Sequence, residues 1–341
     1  MSHYKLALLG FGNVGRALAR LLERKRGELL EKYDLDFSIT GIATGSHGAA
    51  VDPDGLDIKS ALHLAETGAT LDSLSKIRLH DSLDFIRRSG GDVLFENSPV
   101  NYQTGQPAVD HLRTALEHGM HAITANKGPV VHAYSELTAW AVENRRSFYF
   151  ESAVMDGAPI FALFREALPG ANLRGFQGIL NSTTNLILTL MERGESFEQA
   201  VAYAQSIGMA ETDPSGDIDG WDAAVKVAAL VTVLMGVPLK PDRIDRQGIR
   251  SLTSEDIAHA RERGARWKLI CSACREGDRV EARVAPEMVP SDSPFYAVMG
   301  TSSIVEFESD VLGSLTILEG DPSPETTAYG LLADFINAVR D

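Results

Sequence analysis

Gly10-Phe-Gly-Asn-Val-Gly15 constrains this chain more than any other stretch. It follows a short apolar run, Tyr4-Lys-Leu-Ala-Leu-Leu, and opens a segment from Asn13 to Lys32 whose residues Val14, Leu18, Leu21, Leu22 and Leu29 recur at helical spacing. Gly10 permits a tight turn, Gly12 lets backbone approach a pyrophosphate, Gly15 permits close helix packing, and the helix start then receives the anion. Phe37-Ser-Ile-Thr-Gly-Ile-Ala reads as a second strand, so Tyr4 to Ala43 makes a βαβ unit whose parallel strands need the helical crossover. Gly10, Phe11, Gly12, Asn13, Val14 and Gly15 are the expected cofactor contacts; the competing reading is a tight strand-to-helix turn without a ligand.

The alternation continues through strands at 92–96, 121–124 and 147–151 and helices at 106–118 and 130–144, while 44–76, rich in Gly, Asp and Ser at its start, reads as a surface excursion. Residues 1–150 are thus expected to form a Rossmann-type, doubly wound α/β dinucleotide-binding domain. Beyond Glu151 the pattern predicts helices at 159–167, 185–193, 197–206 and 217–237, a strand at 176–180, and half-exposed antiparallel strands that include Val280–Val284 and Ser303–Glu308. An α+β domain over 151–315, serving substrate binding and dimerisation, follows, with 316–341 returning to the first domain through a helix at 326–339.

Charge narrows the partners. The 341 residues carry 32 Lys and Arg against 47 Asp and Glu, a net charge of −15 that repels a phosphate backbone and an anionic membrane alike. The two cysteines, Cys271 and Cys274, form a C-x-x-C without the further soft ligands that zinc needs, and are expected as two packed, reduced thiols. With no signal-like start and no apolar run of spanning length, a cytoplasmic setting is expected.

The end of the second strand, Ala43-Thr-Gly-Ser-His-Gly, holds no acid to bind a ribose 2′-hydroxyl, and Thr44, Ser46 and His47 offer donors to a 2′-phosphate. NADP is therefore favoured, with NAD or dual use open. In the second half, Asp222 and Lys226 share a helix face at i and i+4, and Glu211, Asp213, Asp217 and Asp219 precede them. Such carboxylates suit the amine of a small amino acid while the lysine handles a proton. Val225, Val227, Leu230 and Val231 surround Lys226, so it must reach outward, pair, or lose basicity. From the helix alone, a plain surface pair and a functional lysine both stand.

Several segments together resemble homoserine dehydrogenases over nearly the whole chain: Gly10-Phe-Gly-Asn-Val-Gly, Phe95-Glu-Asn-Ser-Pro, Thr124-Ala-Asn-Lys-Gly-Pro, Gly178-Ile-Leu-Asn-Ser-Thr-Thr-Asn, and above all Gly208-Met-Ala-Glu-Thr-Asp-Pro-Ser-Gly-Asp-Ile-Asp-Gly-Trp-Asp-Ala-Ala-Val-Lys. The resemblance implies reversible oxidation of L-homoserine to L-aspartate 4-semialdehyde with NAD(P), in threonine and methionine biosynthesis, by a homodimer. It implies that Glu211, Asp217 and Asp222 hold the substrate's amine and hydroxyl, that Asn181 and Thr183 present polar groups, and that Ser98 lies beside the cofactor. Lys226 is expected to transfer the proton, with Lys127 reaching both ligands. The turn at Glu151-Ser-Ala-Val-Met-Asp resembles one that binds sodium or potassium, with Glu151, Val154 and Asp156 as ligands.

Two departures accompany the resemblance. Glu319-Gly-Asp-Pro-Ser-Pro stands where the family has a glycine-rich loop, so two prolines stiffen it. The chain ends soon after the helix that follows, which implies a monofunctional form without a C-terminal regulatory domain. A related NAD(P) enzyme acting on another small amino or hydroxy acid, and a silent dinucleotide sensor, are the alternatives.

Overall fold

The computed structural model describes residues 2–277 and 279–340. By their contacts these divide into one unit of 1–159 with 323–341, and a second of 160–322. The divisions thus fall after Pro159 and Pro322 rather than at 150 and 315.

The first unit runs β1 (Ser2–Leu9), α1 (Asn13–Tyr33), β2 (Leu35–Ala43), β3 (Ala49–Val51), α2 (Ile58–Thr67), α3 (Ser82–Arg88), β4 (Val93–Glu96), α4 (Ala108–Glu117), β5 (His121–Thr124), α5 (Lys127–Glu143) and β6 (Phe148–Tyr149). The sheet order is β3-β2-β1-β4-β5-β6, parallel except for the β2–β3 hairpin. Chain order therefore reverses between β1 and β4, the crevice at which doubly wound sheets take their ligands. Residues 6–9 of β1 and 93–95 of β4 are buried and read as continuous apolar runs, and each fully buried Leu or Phe there contributes about 1.5–3 kcal/mol.

The stretch from 44 to 76 is not a surface excursion. It supplies β3 and α2, and Ala50, Val51, Ile58, Ala61 and Leu71 are buried in the same unit. Gly and Asp near its start set turns and the Asp57 cap of α2, worth about 1 kcal/mol, and do not mark a free loop.

The second unit comprises β7 (Leu173–Ile179), α6 (Ser182–Glu192), α7 (Phe197–Ser206), α8 (Ser215–Ile218), α9 (Trp221–Leu234), β8 (Asp245–Arg246), α10 (Ser254–Glu262), β9 (Ala265–Glu276), β10 (Arg279–Pro290), β11 (Ser303–Ser309) and β12 (Gly313–Glu319). Its sheet runs β12-β11-β7-β9-β10-β8 and is antiparallel apart from the short β10–β8 pair. The helix expected at 159–167 is one turn that widens into a π-type turn over Leu163–Ala167. The long helix expected from Asp217 is broken at Gly220, whose φ of +79 begins α9 afresh.

Lys268 of β9 is wholly buried. Its ammonium donates to Asn185 Oδ1 at 2.9 Å and to the Val298 carbonyl at 2.6 Å. Burial pulls its pKa down to about 8. Cys271 is buried and Cys274 exposed, so only one of the two thiols is packed. At i and i+3 on one strand they point to opposite faces, which excludes a shared bond or ligand.

The closing helix α11 (Pro324–Val339) belongs to the first unit, where Leu331 and Phe335 pack with Leu8, Leu18 and Phe95. Pro324 stands in its first turn and Ser323 caps it in a reciprocal box with Thr326. Among the described residues no helix is long and apolar enough to cross a membrane.

Candidate active site

The nucleotide side is built at the carboxyl ends of β1, β4 and β5. Gly10 has φ +96, and a side chain there would overlap the Asn97 carbonyl; one at Gly15 would overlap the Gly10 carbonyl. A methyl group at Gly12 would meet no protein atom. Packing within the protein thus explains Gly10 and Gly15, while Gly12 keeps backbone open to whatever approaches from outside. Gly12 also begins α1 without a side-chain cap, and no acid stands in the first turn. Uncapped N–H groups at the positive end of a helix fit a pyrophosphate. Phe11 is buried, Asn13 is exposed and Val14 is half-buried.

Ser98 follows β4. Its N–H and hydroxyl both donate to Glu96, which is wholly buried. Asn126 accepts from the Gly128 N–H at 2.9 Å and donates to the Ser98 carbonyl at 3.1 Å. That amide ties Ser98 to the start of α5, whose first residue is the half-buried Lys127.

A cleft of about 840 Å³, within the usual range for ligand sites, runs from Gly10 past Ala43 and Thr44 at the end of β2 to Ser98 and Pro99. The donors expected after β2 are partly spent on the turn itself. Thr44 Oγ1 donates to the Gly48 carbonyl at 3.1 Å, and Ser46 Oγ lies 2.8 Å from His47 Nδ1. Lys76, Arg78 and Asp72, distant in sequence, line the same cleft. Lys76 is paired with Asp52 and Asp54.

In the second unit four of the expected residues converge. Asn181 caps α6 through its Oδ1, which accepts from the Thr184 N–H at 2.8 Å. Its Nδ2 donates to Asp217 at 2.6 Å and to Asp222 at 3.0 Å. Asp222 lies 3.1 Å from Lys226 Nζ, and that ammonium donates to the Leu180 carbonyl at 2.7 Å. Lys226 therefore meets its apolar helix by pairing. The break at Gly220 divides the acids between α8, which carries Asp217, and α9, which carries Asp222.

Thr183 is turned to the loop before the acids, its hydroxyl donating to the Met209 carbonyl at 3.1 Å. Glu211, two residues on, has an exposed side chain, and its carbonyl accepts from Gln205. The structure thus bonds three of the five expected substrate residues, Asn181, Asp217 and Asp222, together with Lys226, and leaves Thr183 and Glu211 beside them on the chain.

At the expected cation turn, Glu151 is buried and its N–H donates to Asp334 at 2.8 Å, while Asp156 accepts from the Thr327 hydroxyl at 2.8 Å. Met155 and Asp156 both adopt left-handed backbone, and Val154 is extended. Among the described residues no three His, Cys, Asp or Glu side chains gather as a metal site.

Sequence profiles described as "Homoserine dehydrogenase, NAD binding domain" and "Homoserine dehydrogenase" match residues 10–151 and 159–336. The chain belongs to the homoserine dehydrogenase family. A protein named NAD(+)-dependent homoserine dehydrogenase from Pseudomonas canavaninivorans is 36% identical across 99% of this chain and 96% of its own. The homoserine dehydrogenase of Methanocaldococcus jannaschii is also 36% identical, across 97% of each. A crystal structure titled putative homoserine dehydrogenase from Archaeoglobus fulgidus superposes with a TM-score of 0.86 at 31% identity, covering 98% of both chains. The protein is thus an oxidoreductase acting on the hydroxyl of homoserine with a nicotinamide dinucleotide, and its first unit is the family's NAD-binding domain.

Sequence reading passed over Asn126 and the Leu180 carbonyl. The first was legible as an Asn cap ahead of Lys-Gly-Pro; the second, a backbone group, leaves no side-chain signal at all.

Proposed function

We propose that Lys226 transfers the hydroxyl proton in the homoserine dehydrogenase reaction, that Asp217 and Asp222 hold the substrate's ammonium, and that Lys127 serves both ligands from the start of α5. The observation that carries this reading is the single Asn181 amide spanning both carboxylates, with Lys226 on the second of them. Two carboxylates fixed to one donor suit a cationic amine. A lysine anchored by one carboxylate and one carbonyl keeps its ammonium in a fixed position, where it gives a proton to, or takes one from, the reacting oxygen. When bound, the dinucleotide supplies or accepts the hydride. Glu211 completes the amine contacts and Thr183 holds the loop that brings it.

NADP is favoured in this reading, with NAD also usable: Arg78 and Lys76 in the cleft offer cations to a 2′-phosphate, and Asp72 offers a carboxylate to a 2′-hydroxyl. The same proposal places sodium or potassium on Glu151, Val154 and Asp156, at the turn where Met155 and Asp156 adopt left-handed backbone. The setting is cytoplasmic biosynthesis of threonine and methionine, by a homodimer, which light scattering tests.

The deciding assay follows NADPH or NADH oxidation with L-aspartate 4-semialdehyde, with and without potassium. Lys226→Ala lowers kcat by roughly 10²–10⁴-fold, the range for a lost proton-transfer group, while the dinucleotide Kd stays put. Turnover retained in that variant would remove Lys226 from the chemistry. No turnover in the unaltered enzyme with either cofactor would remove the whole reading.

A further inference from the structure

We propose that Ser82 reads the adenine base of the dinucleotide through a relay of fixed polarity, Glu96 to His111 to Ser82. The relay runs behind the nucleotide cleft, and both His111 and Ser82 line that cleft. Glu96 is wholly buried at the end of β4, and His111, on α4, is 2% exposed.

Glu96 is surrounded by donors. Its Oε1 accepts from the Ser98 N–H at 3.2 Å and from the Ser98 hydroxyl, and the Thr124 hydroxyl lies 3.2 Å from Oε2. His111 Nδ1 is 3.3 Å from Oε1. With Glu96 as acceptor, Nδ1 carries the ring proton and Nε2 is left as an acceptor. Ser82 Oγ lies 2.9 Å from Nε2, so its one proton is donated inward to the ring. What remains to face the cleft is a pair of lone pairs, and the half-buried Ser82 is open enough to use them.

That orientation carries chemical information. In a Rossmann unit the pyrophosphate lies on the glycine turn and the ribose at the end of the second strand, so the base continues into the space beyond. Here that space is walled by Ile77, Leu79, Phe85 and Pro99, apolar surfaces fit for the faces of a purine. Adenine brings an exocyclic 6-amino group that donates; hypoxanthine and guanine bring a 6-oxo group that only accepts. A Ser82 oxygen unable to donate pairs with the first and opposes the second.

The inference rests on this cleft being the dinucleotide site. Fluorescence titration of the unaltered enzyme compares NADH with reduced nicotinamide hypoxanthine dinucleotide, in which a 6-oxo group and a protonated N1 replace the 6-amino group and bare N1 of adenine. NADH is expected to bind about tenfold more tightly, the scale of one hydrogen bond against a mismatched pair. In Ser82→Ala the two affinities converge, whereas Ser82→Thr, which keeps the hydroxyl, keeps the preference. Equal affinities in the unaltered enzyme would overturn the assignment, as would an unchanged preference in Ser82→Ala. Tighter binding of the hypoxanthine form would mean that Nε2 donates and the relay runs the other way. Absence of NADH binding altogether would instead fell the cofactor reading of the cleft, and this assignment with it. Should Ser82→Ala not fold, the unaltered enzyme and Ser82→Thr still decide between these results.

Discussion

The two units build their binding surfaces in opposite ways. The nucleotide unit relies on a contiguous hexapeptide whose glycines act through backbone shape, so its function is written in neighbouring letters. The second unit gathers Asn181, Asp217, Asp222 and Lys226 from three helices, with the farthest backbone partner, Leu180, 46 positions from its lysine. There the side chains are held by one another. A site of backbone shape fails when an atom is added, and a site of side-chain bonds fails when one is removed.

Adding an atom gives the larger expected effect. Gly10→Ala sets a methyl into the Asn97 carbonyl at a backbone angle that alanine resists, costing more than about 3 kcal/mol of stability, seen as a Tm lowered by several degrees or as loss of folded protein. The neighbouring change, Gly12→Ala, meets no protein atom, so Tm holds while NADH binding weakens about tenfold. Equal Tm for the two variants would break the distinction between a glycine required by the fold and one kept for the ligand.

Removing a donor comes next. Asn181→Leu keeps the volume near α6 but strips Asp217 and Asp222 of their shared amide, with an expected loss of about 2–3 kcal/mol in stability and a raised KM for homoserine, NADH affinity being unaffected. Unchanged homoserine kinetics would show that the two acids are held in place by other means.

The smallest effect concerns Lys268. Burial holds its pKa near 8, against 10.5 in the unfolded chain, so between those values the unfolded chain binds a proton that the native one lacks. Native stability therefore rises with pH in that window, by at most about 1.4 kcal/mol per unit. Cys271, pushed up by burial to about 12, pulls the other way above its ordinary 9.0. Chemical denaturation between pH 8 and pH 9 isolates the lysine, and Lys268→Met should flatten the slope there; a slope kept in the variant would assign it to another group.

The same contrast explains what was legible in the sequence. Gly10 to Gly15 announced the Rossmann unit because strand, turn and helix start are local and each glycine has a local reason. Asp222 and Lys226 announced themselves by helical spacing. The Asn181 bridge left no trace in spacing, since it depends on how α6 is set against the Gly220 break. The 44–76 stretch reads as a loop because its turn residues are conspicuous, while the apolar residues that enter the core, Ala50, Val51, Ala61 and Leu71, are few and scattered between them. Cys274 lies outside for a simpler reason: side chains alternate along a strand, so residues three apart face opposite ways and C-x-x-C on β9 cannot keep both thiols inside.

That last feature makes the protein easy to tag. Cys271 is enclosed and held in its unreactive protonated form, whereas Cys274 lies open on β9 beside Gln177 and Glu281. A maleimide dye added to the folded chain would mark one defined position on the outer face of the second sheet, far in sequence from Lys226, and would give a one-to-one optical reporter without first deleting a cysteine.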